Sequence, residues 1–231
     1  MHDERSKSHA SSSSPGKRNP GTEPFRVIWR FLPLIGVLLF AGIAFVWRPW
    51  LQRRRYGTRA IVLFASASRG QRIRDGLAVV FLLLLLGQSV VAVAWPERLS
   101  PRVQDRSTLE ILRAIGAALL GAGLILLVAA QLHLGAAWRI GIEEGARPGL
   151  VTGGLYRFCR NPIFLALLVF VSGYVMLLPT RLSLALLLGA CIGVRLQVAA
   201  EEAYLLAAYG ETYRDYARRV GRFLPGAGRL R

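Results

Sequence analysis

Apolar residues in this chain gather in long unbroken runs, without the alternation of a half-buried strand or the three-to-four spacing of a surface helix. Five such runs cover residues 27–47, 77–95, 111–134, 162–178 and 182–198. A hydrocarbon core about 30 Å thick needs roughly 20 helical residues to cross it. The pattern therefore predicts an all-α fold: a polytopic membrane helix bundle of about five transmembrane helices. Only Pro179, Thr180 and Arg181 separate the last two runs, so these should form a tight helical hairpin. Residues 1–25 are polar and carry Ser11, Ser12, Ser13, Ser14, Pro15 and Gly16, the composition of a disordered tail. The first run is too long for a secretory signal and no small-residue cleavage site follows it. Trp47, Arg48 and Trp50 beside it read as an interfacial anchor. The chain thus divides into the tail, a three-helix membrane region at 26–134 with a basic loop at 48–76, and a region at 135–231 holding the hairpin and a C-terminal amphipathic helix.

Composition changes the picture in one respect. The 231 residues are 53% hydrophobic, yet 30 Lys and Arg against 13 Asp and Glu give a formal charge of +17. Such a charge suits nucleic acid, but it lies between the apolar runs and not along one face, and no nucleic-acid-binding motif accompanies it. Nucleic-acid binding is set aside. The arginines instead encode direction, because basic residues near span ends stay on the cytoplasmic side. Segment 48–76 has eight, segment 135–160 four, and the stretch from Arg195 onward seven; the alternate segments have four, three and one. The expected protein is a multi-pass protein of the cytoplasmic (inner) membrane with its N-terminus outside and its C-terminus in the cytoplasm. Cys159 and Cys191 are too few for a disulfide framework or a zinc site.

Gly116, Ala117, Ala118, Gly121 and Gly123 in the third run favour close helix packing. Gln88, Gln131 and His133 are polar at or near membrane depth, where function is a standing hypothesis. For His133 a structural role at the end of its span is the better reading, and without companion ligands it makes no metal site.

The chemistry-bearing residues cluster on the predicted cytoplasmic side of the hairpin. One stretch reads Gly149-Leu150-Val151-Thr152-Gly153-Gly154-Leu155-Tyr156-Arg157-Phe158-Cys159-Arg160-Asn161-Pro162-Ile163-Phe164. Asn161 and Pro162 have the logic of a helix cap and first turn. The same helix start, with Arg157 and Arg160 beside it, also offers unpaired N–H groups and positive potential to a carboxylate or phosphate. The second stretch holds Gln197, Glu201, Glu202, Leu205, Tyr209, Gly210, Tyr213 and Tyr216. Gln197 and Glu201 share a helix face, whereas Glu202 is turned by about 100°. Gly210 should end that helix, and Tyr213 and Tyr216 should place an aromatic face on the bundle or on lipid.

In these two stretches the chain resembles the integral-membrane methyltransferases typified by isoprenylcysteine carboxyl methyltransferase and the related phospholipid methyltransferases. The shared pattern is Leu-Val-Thr-x-Gly-x-Tyr, then Arg-His/Asn-Pro-x-Tyr/Phe, a hairpin, Glu-Glu-x-x-Leu, Gly-x-x-Tyr-x-x-Tyr and a late proline. Here it falls at Leu150 to Tyr156, Arg160 to Phe164, Glu201 to Leu205, Gly210 to Tyr216, and Pro225. The resemblance implies an S-adenosylmethionine-dependent methyltransferase acting on a lipidic acceptor drawn from the bilayer, with no metal. It implies cofactor contacts from Leu150, Val151, Tyr156, Arg160, Asn161, Pro162, Ile163, Phe164 and Glu201, and places Gln197 near the acceptor. Glu202, by its proximity in sequence, is a further acceptor-side candidate, and it or Tyr156 could serve as base where the acceptor must lose a proton. Two departures stand out. Family members carry an arginine one helical turn before the glutamate, where this chain has Gln197, and the prenylcysteine enzyme has histidine where Asn161 stands. Membrane sterol and steroid reductases that use NADPH resemble the same terminal region. They differ at Ile163-Phe164 and Glu201-Glu202, which leave the cofactor 2′-phosphate without an obvious partner. A non-enzymatic membrane scaffold is the remaining alternative.

Overall fold

The computed structural model describes residues 23–57, 61–64, 66, 68–99, 105–140 and 149–230. The predicted tail therefore lies almost wholly outside the described residues, as does segment 141–148 of the C-terminal region. Helix α1 (Glu23–Ala41) continues through a π-helical turn (Gly42–Trp47) into α2 (Arg48–Tyr56), which Gly57 ends at φ +67. Then come α3 (Arg69–Ala94), α4 (Arg106–Leu134), α5 (Pro162–Leu177), α6 (Arg181–Tyr209) and α7 (Glu211–Arg219). Among the described residues there is no strand, only isolated bridges at Ile61–Ile140 and Cys159–Gly221.

Four helical stretches, 28–56, 69–94, 107–137 and 181–209, are long and apolar enough to cross a membrane. The fifth predicted span differs. α5 has 16 residues, about 24 Å at the α-helical rise, which falls short of the hydrocarbon thickness. Its place in the bundle explains this. Ala166, Phe170, Val171, Gly173 and Tyr174 are all buried, so α5 is a central helix wrapped by its neighbours. Its first turn starts inside the polar layer described below.

Close approach of α4 to α5 depends on glycine. A Cβ at Gly116 would stand 2.9 Å from the Gly173 carbonyl oxygen, one at Gly123 would stand 2.7 Å from the Phe170 nitrogen, and one at Gly173 would stand 2.5 Å from the Leu120 nitrogen. Gly121, by contrast, faces open space, so it takes no part in the packing expected of it. Where lipid removes the hydrophobic drive between helices, such backbone contact supplies the dispersion energy that holds them. At the hairpin tip, Gln88 Nε2 donates to Thr180 Oγ1 (2.6 Å) and Ser183 Oγ (2.7 Å), and the Tyr174 hydroxyl donates to the Leu85 carbonyl (3.0 Å). Gln88 is thus a tie between α3 and the hairpin.

The basic segment 48–76 is not a continuous loop, since residues 48–56 and 69–76 are helical. Its run Arg53, Arg54 and Arg55 has the look of a solvated connection but forms the exposed last turn of α2. Arg48 also departs from the anchor role. It is 1% exposed, and its Nη2 donates to the carbonyls of Gln131 (3.1 Å) and Gly135 (2.7 Å) while its guanidinium lies 4.8 Å from the Trp138 ring centroid. Gln52 Nε2 adds a bond to the Ala136 carbonyl at 2.8 Å. The C-terminal carbonyls of α4 need donors and favour a cation, and α2 supplies both. Trp50 remains exposed, as an anchor should.

Candidate functional site

One end of the bundle collects the ends of α2, α4 and α6, the starts of α3 and α5, the 149–161 loop, α7 and the chain after it. Two polar layers are built there.

The first surrounds Arg160, whose side chain is 1% exposed. Its Nε and Nη2 donate to Glu202 Oε1 (3.2 and 3.0 Å), its Nη1 to the carbonyls of Ala217 (2.6 Å) and Val220 (2.7 Å), and its Nη2 also to the Gly228 carbonyl (3.0 Å). All five N–H groups of a guanidinium are thereby engaged. Glu202 further accepts from Arg222 Nη2 at 2.6 Å and from Asn161 Nδ2 at 3.2 Å. The carboxylate in turn raises the Arg222 pKa above its ordinary value. The backbone joins in, with the N–H groups of Arg160 and Asn161 donating to the carbonyls of Gly221 and Arg222. Gly221 is required here, because a Cβ would fall 1.9 Å from the Leu224 carbonyl oxygen.

Three expectations change in consequence. Arg160, expected among the cofactor residues, has no donor left for a ligand. Glu202, expected near the acceptor, is enclosed by two arginines and an amide. Asn161 does not cap α5 with its side chain, since that amide is turned to Glu202 and to the Arg222 carbonyl. The N–H groups of Ile163 and Phe164, in the first turn, therefore receive no side-chain cap. Pro162 is buried at the first helical position and has no N–H to satisfy.

The second layer surrounds Glu201. Gln197 Nε2 donates to its Oε1 at 2.9 Å. Gln197 Oε1 accepts from Arg74 Nε (3.0 Å) and Gln71 Nε2 (3.3 Å), and Arg74 Nη2 donates to Gln71 Oε1 at 2.6 Å. Asp75 is held by Gln71 Nε2 (2.7 Å) and the Phe64 N–H (2.8 Å). Gln71, Arg74 and Asp75 sit one turn into an apolar helix and were not foreseen. The available signal was the run of polar residues at the entrance of the second span, on the face that Ala78 and Leu85 continue.

Tyr156 lies between the layers. Its ring is buried and its carbonyl accepts from the Tyr216 hydroxyl at 2.6 Å, while no described residue bonds its own hydroxyl. Burial, and after it the Glu201 carboxylate, push the phenol well above its ordinary pKa, so it stays protonated. The same burial raises Tyr213 and Tyr216. Both pack on the protein, where Leu150 joins their apolar cluster. The loop is fixed by Gly149 N–H donating to the Tyr209 hydroxyl (3.0 Å) and by Gly154, at φ +59, pressed against the His133 ring. Val151 is half-buried beside them. His133 Nδ1 bonds the Ala129 carbonyl of its own helix at 2.8 Å. Gly210 ends α6 at φ +56, as expected. Among the described residues no group of His, Cys, Asp and Glu has the makings of a metal site.

The motif residues of a helical membrane bundle thus meet at one polar end, and it is the segment carrying them that is similar to known proteins. Residues 111–212, from α4 into α7, match the family model of phospholipid methyltransferases. No curated protein matches the sequence. Among solved structures, the chain is similar to a eukaryotic intramembrane Ras methyltransferase, isoprenylcysteine carboxyl methyltransferase, at 16% identity and TM-score 0.46, over 93% of this chain and 89% of that one.

Proposed function

We propose that the protein transfers a methyl group from S-adenosylmethionine to a lipidic acceptor that enters from the bilayer. The observation that carries this reading is the pairing of an uncapped α5 start with a Glu201 carboxylate of which only one oxygen is held by the protein. A cofactor with a carboxylate, an ammonium and ribose hydroxyls asks for such a pair: N–H donors at Ile163 and Phe164 for the first, an acceptor for the others. Leu150, Val151 and Tyr156 form the adjoining wall, and the Tyr156 phenol serves as a donor.

S-Adenosylmethionine supplies a methyl carbon bound to a positive sulfur; an attacking lone pair forms the new bond as the C–S bond breaks and leaves a neutral thioether. The leaving group needs no acid, so the work of this chain is to hold two partners in line and keep water out. Arg160 and Glu202 act through other residues. By tying the 160–161 backbone to α6 and to residues 217–228, they set the angle at which α5 presents its first turn. They are positioning residues. The arginine asymmetry supports a C-terminus on the cytoplasmic side, where the donor is found; a C-terminal reporter active only outside the membrane would reverse that orientation.

Calorimetry on the detergent-solubilised protein tests the reading. Heat with S-adenosylhomocysteine and none with NADPH is expected. Heat with NADPH alone would replace the reading by the reductase, and heat with neither would favour the scaffold.

A further inference from the structure

The family-matched segment begins at residue 111, yet the cation of the Glu201 layer, Arg74, comes from outside it. Arg74 on α3 is half-buried and reaches across to Gln197 of α6. Its Nε and Nη2 are engaged by two amide oxygens, both neutral acceptors. Its Nη1 has no partner among the described residues. Asp75, the adjacent carboxylate, takes one bond on each oxygen, from Gln71 and the Phe64 N–H, and none from Arg74. Among the described residues the guanidinium bonds no carboxylate directly and reaches Glu201 only through Gln197. A partly desolvated cation without a direct counter-ion is unfavourable by itself and favours an anion brought to it.

On α3 the positions Arg74, Ala78, Phe81, Leu82 and Leu85 follow at spacings of four, three, one and three, and so share one helix face. Just beyond Arg74 this face borders an apolar cavity of about 110 Å³, lined by Phe40, Phe45, Ala78, Phe81, Leu82 and Phe170 among others. Apolar cavities of about 150 Å³ accept a benzene ring, so there is room here for a few carbons of a chain. The π-helical turn at Gly42–Trp47 carries Phe45 into the lining, and α1, α3 and α5 form its walls. A cation at the polar end and a dry slot on the same helix face, toward the bilayer centre, match one kind of molecule.

We infer that Arg74 recognises the anionic group of a single-chain amphiphile, a carboxylate or a phosphate, whose hydrocarbon chain enters the α1–α3–α5 cavity. Resting on the methyltransferase reading, this makes Arg74 a specificity-determining residue for the acceptor, contributed by the part of the chain outside the family segment. It also gives Gln197 a role. Its amide oxygen orients Arg74 while its amide nitrogen orients Glu201, so the acceptor and donor sides of the site share one side chain.

The test uses the purified full chain and three diazirine-bearing 16-carbon probes that differ only in the head: a carboxylic acid, an alkyl phosphate and an alcohol. After photolysis, labelled peptides are identified by mass spectrometry. One anionic probe or both should label α1 and α3 peptides about tenfold more than the alcohol. Arg74→Gln should reduce that labelling to the alcohol level without moving the unfolding midpoint, and Arg74→Lys should retain part of it. Which anion labels more strongly distinguishes carboxylate from phosphate. Equal labelling by alcohol and anions, an Arg74→Gln variant that labels like the parent, or label confined to peptides outside the cavity would overturn the inference. S-Adenosylhomocysteine calorimetry on the same samples keeps the two claims apart. Binding of that ligand without Arg74-dependent labelling sinks only this inference, and the converse sinks only the methyltransferase reading.

Discussion

Glu202 is buried against Arg160, Arg222 and Asn161, and every donor that faces it comes from the protein. Glu201, its neighbour in the chain, takes one bond from Gln197 and leaves its second oxygen without a partner among the described residues. One helical residue of rotation, about 100°, separates a carboxylate that closes a clamp from one that keeps an oxygen without a partner among the described residues. A buried ion pair whose hydrogen bonds are complete is a device of architecture, and losing one member costs about 3–5 kcal/mol because the other is left charged and dry. A carboxylate half served by the protein keeps capacity for something else. Function at this end of the bundle is thus better read from unmet hydrogen-bonding capacity than from the presence of charge.

The largest effect that would break this comparison is expected at the clamp. Arg160→Ala should destabilise the protein by about 3–5 kcal/mol, seen as a lowered unfolding temperature in detergent and as proteolytic release of residues after 220. Retained stability would remove the clamp from the architecture. Next comes Glu201→Gln, which should abolish S-adenosylhomocysteine binding by calorimetry while leaving the unfolding temperature near that of the parent. Loss of stability without loss of binding would exchange the roles of the two glutamates. A smaller contrast falls on the tyrosines. Tyr216→Phe removes the bond to the Tyr156 carbonyl and should cost about 1 kcal/mol. Tyr156→Phe removes a hydroxyl that no described residue uses, and should leave stability unchanged but weaken ligand binding.

The smallest effect concerns a third carboxylate, at the far end of the bundle. Asp105 caps α4 by accepting from the Thr108 N–H at 2.8 Å, and its bonds to Thr108 and Ser107 hold its pKa down to about 2. The group favours the folded state when ionised, so its contribution is complete above its ordinary pKa near 4 and fades as pH falls toward 2. Acid titration of the unfolding temperature should show this slope in the parent, and Asp105→Asn, which keeps a capping side chain, should flatten it.

Helix positions were legible because each is written in a contiguous apolar run, and the stretches Gly149 to Phe164 and Gln197 to Tyr216 marked the candidate site in the same local way. What stayed hidden arises from long-range contact. Arg74 meets Gln197 across 123 positions and Arg48 meets Gly135 across 87, and a single sequence carries no local mark of either pairing. Asn161 misled for a related reason. Its position has the local chemistry of a cap, but Glu202 and the Arg222 carbonyl compete for the same amide and win. The run Arg53 to Arg55 read as loop because its helix depends on Pro49 and Gly57 at the two ends more than on apolar period.

The π-helical turn at Gly42–Trp47 has one residue more than a regular helix would use over the same rise. Everything after it is rotated accordingly, and this rotation is what brings Arg48 and Gln52 beneath the end of α4. Deleting a single residue from the turn would straighten the rod and swing both side chains away from those carbonyls, toward lipid. The insertion thus works as a register key between the first membrane helix and the polar end of the bundle, and helix-regularising changes there should damage the protein more than substitutions of its exposed side chains.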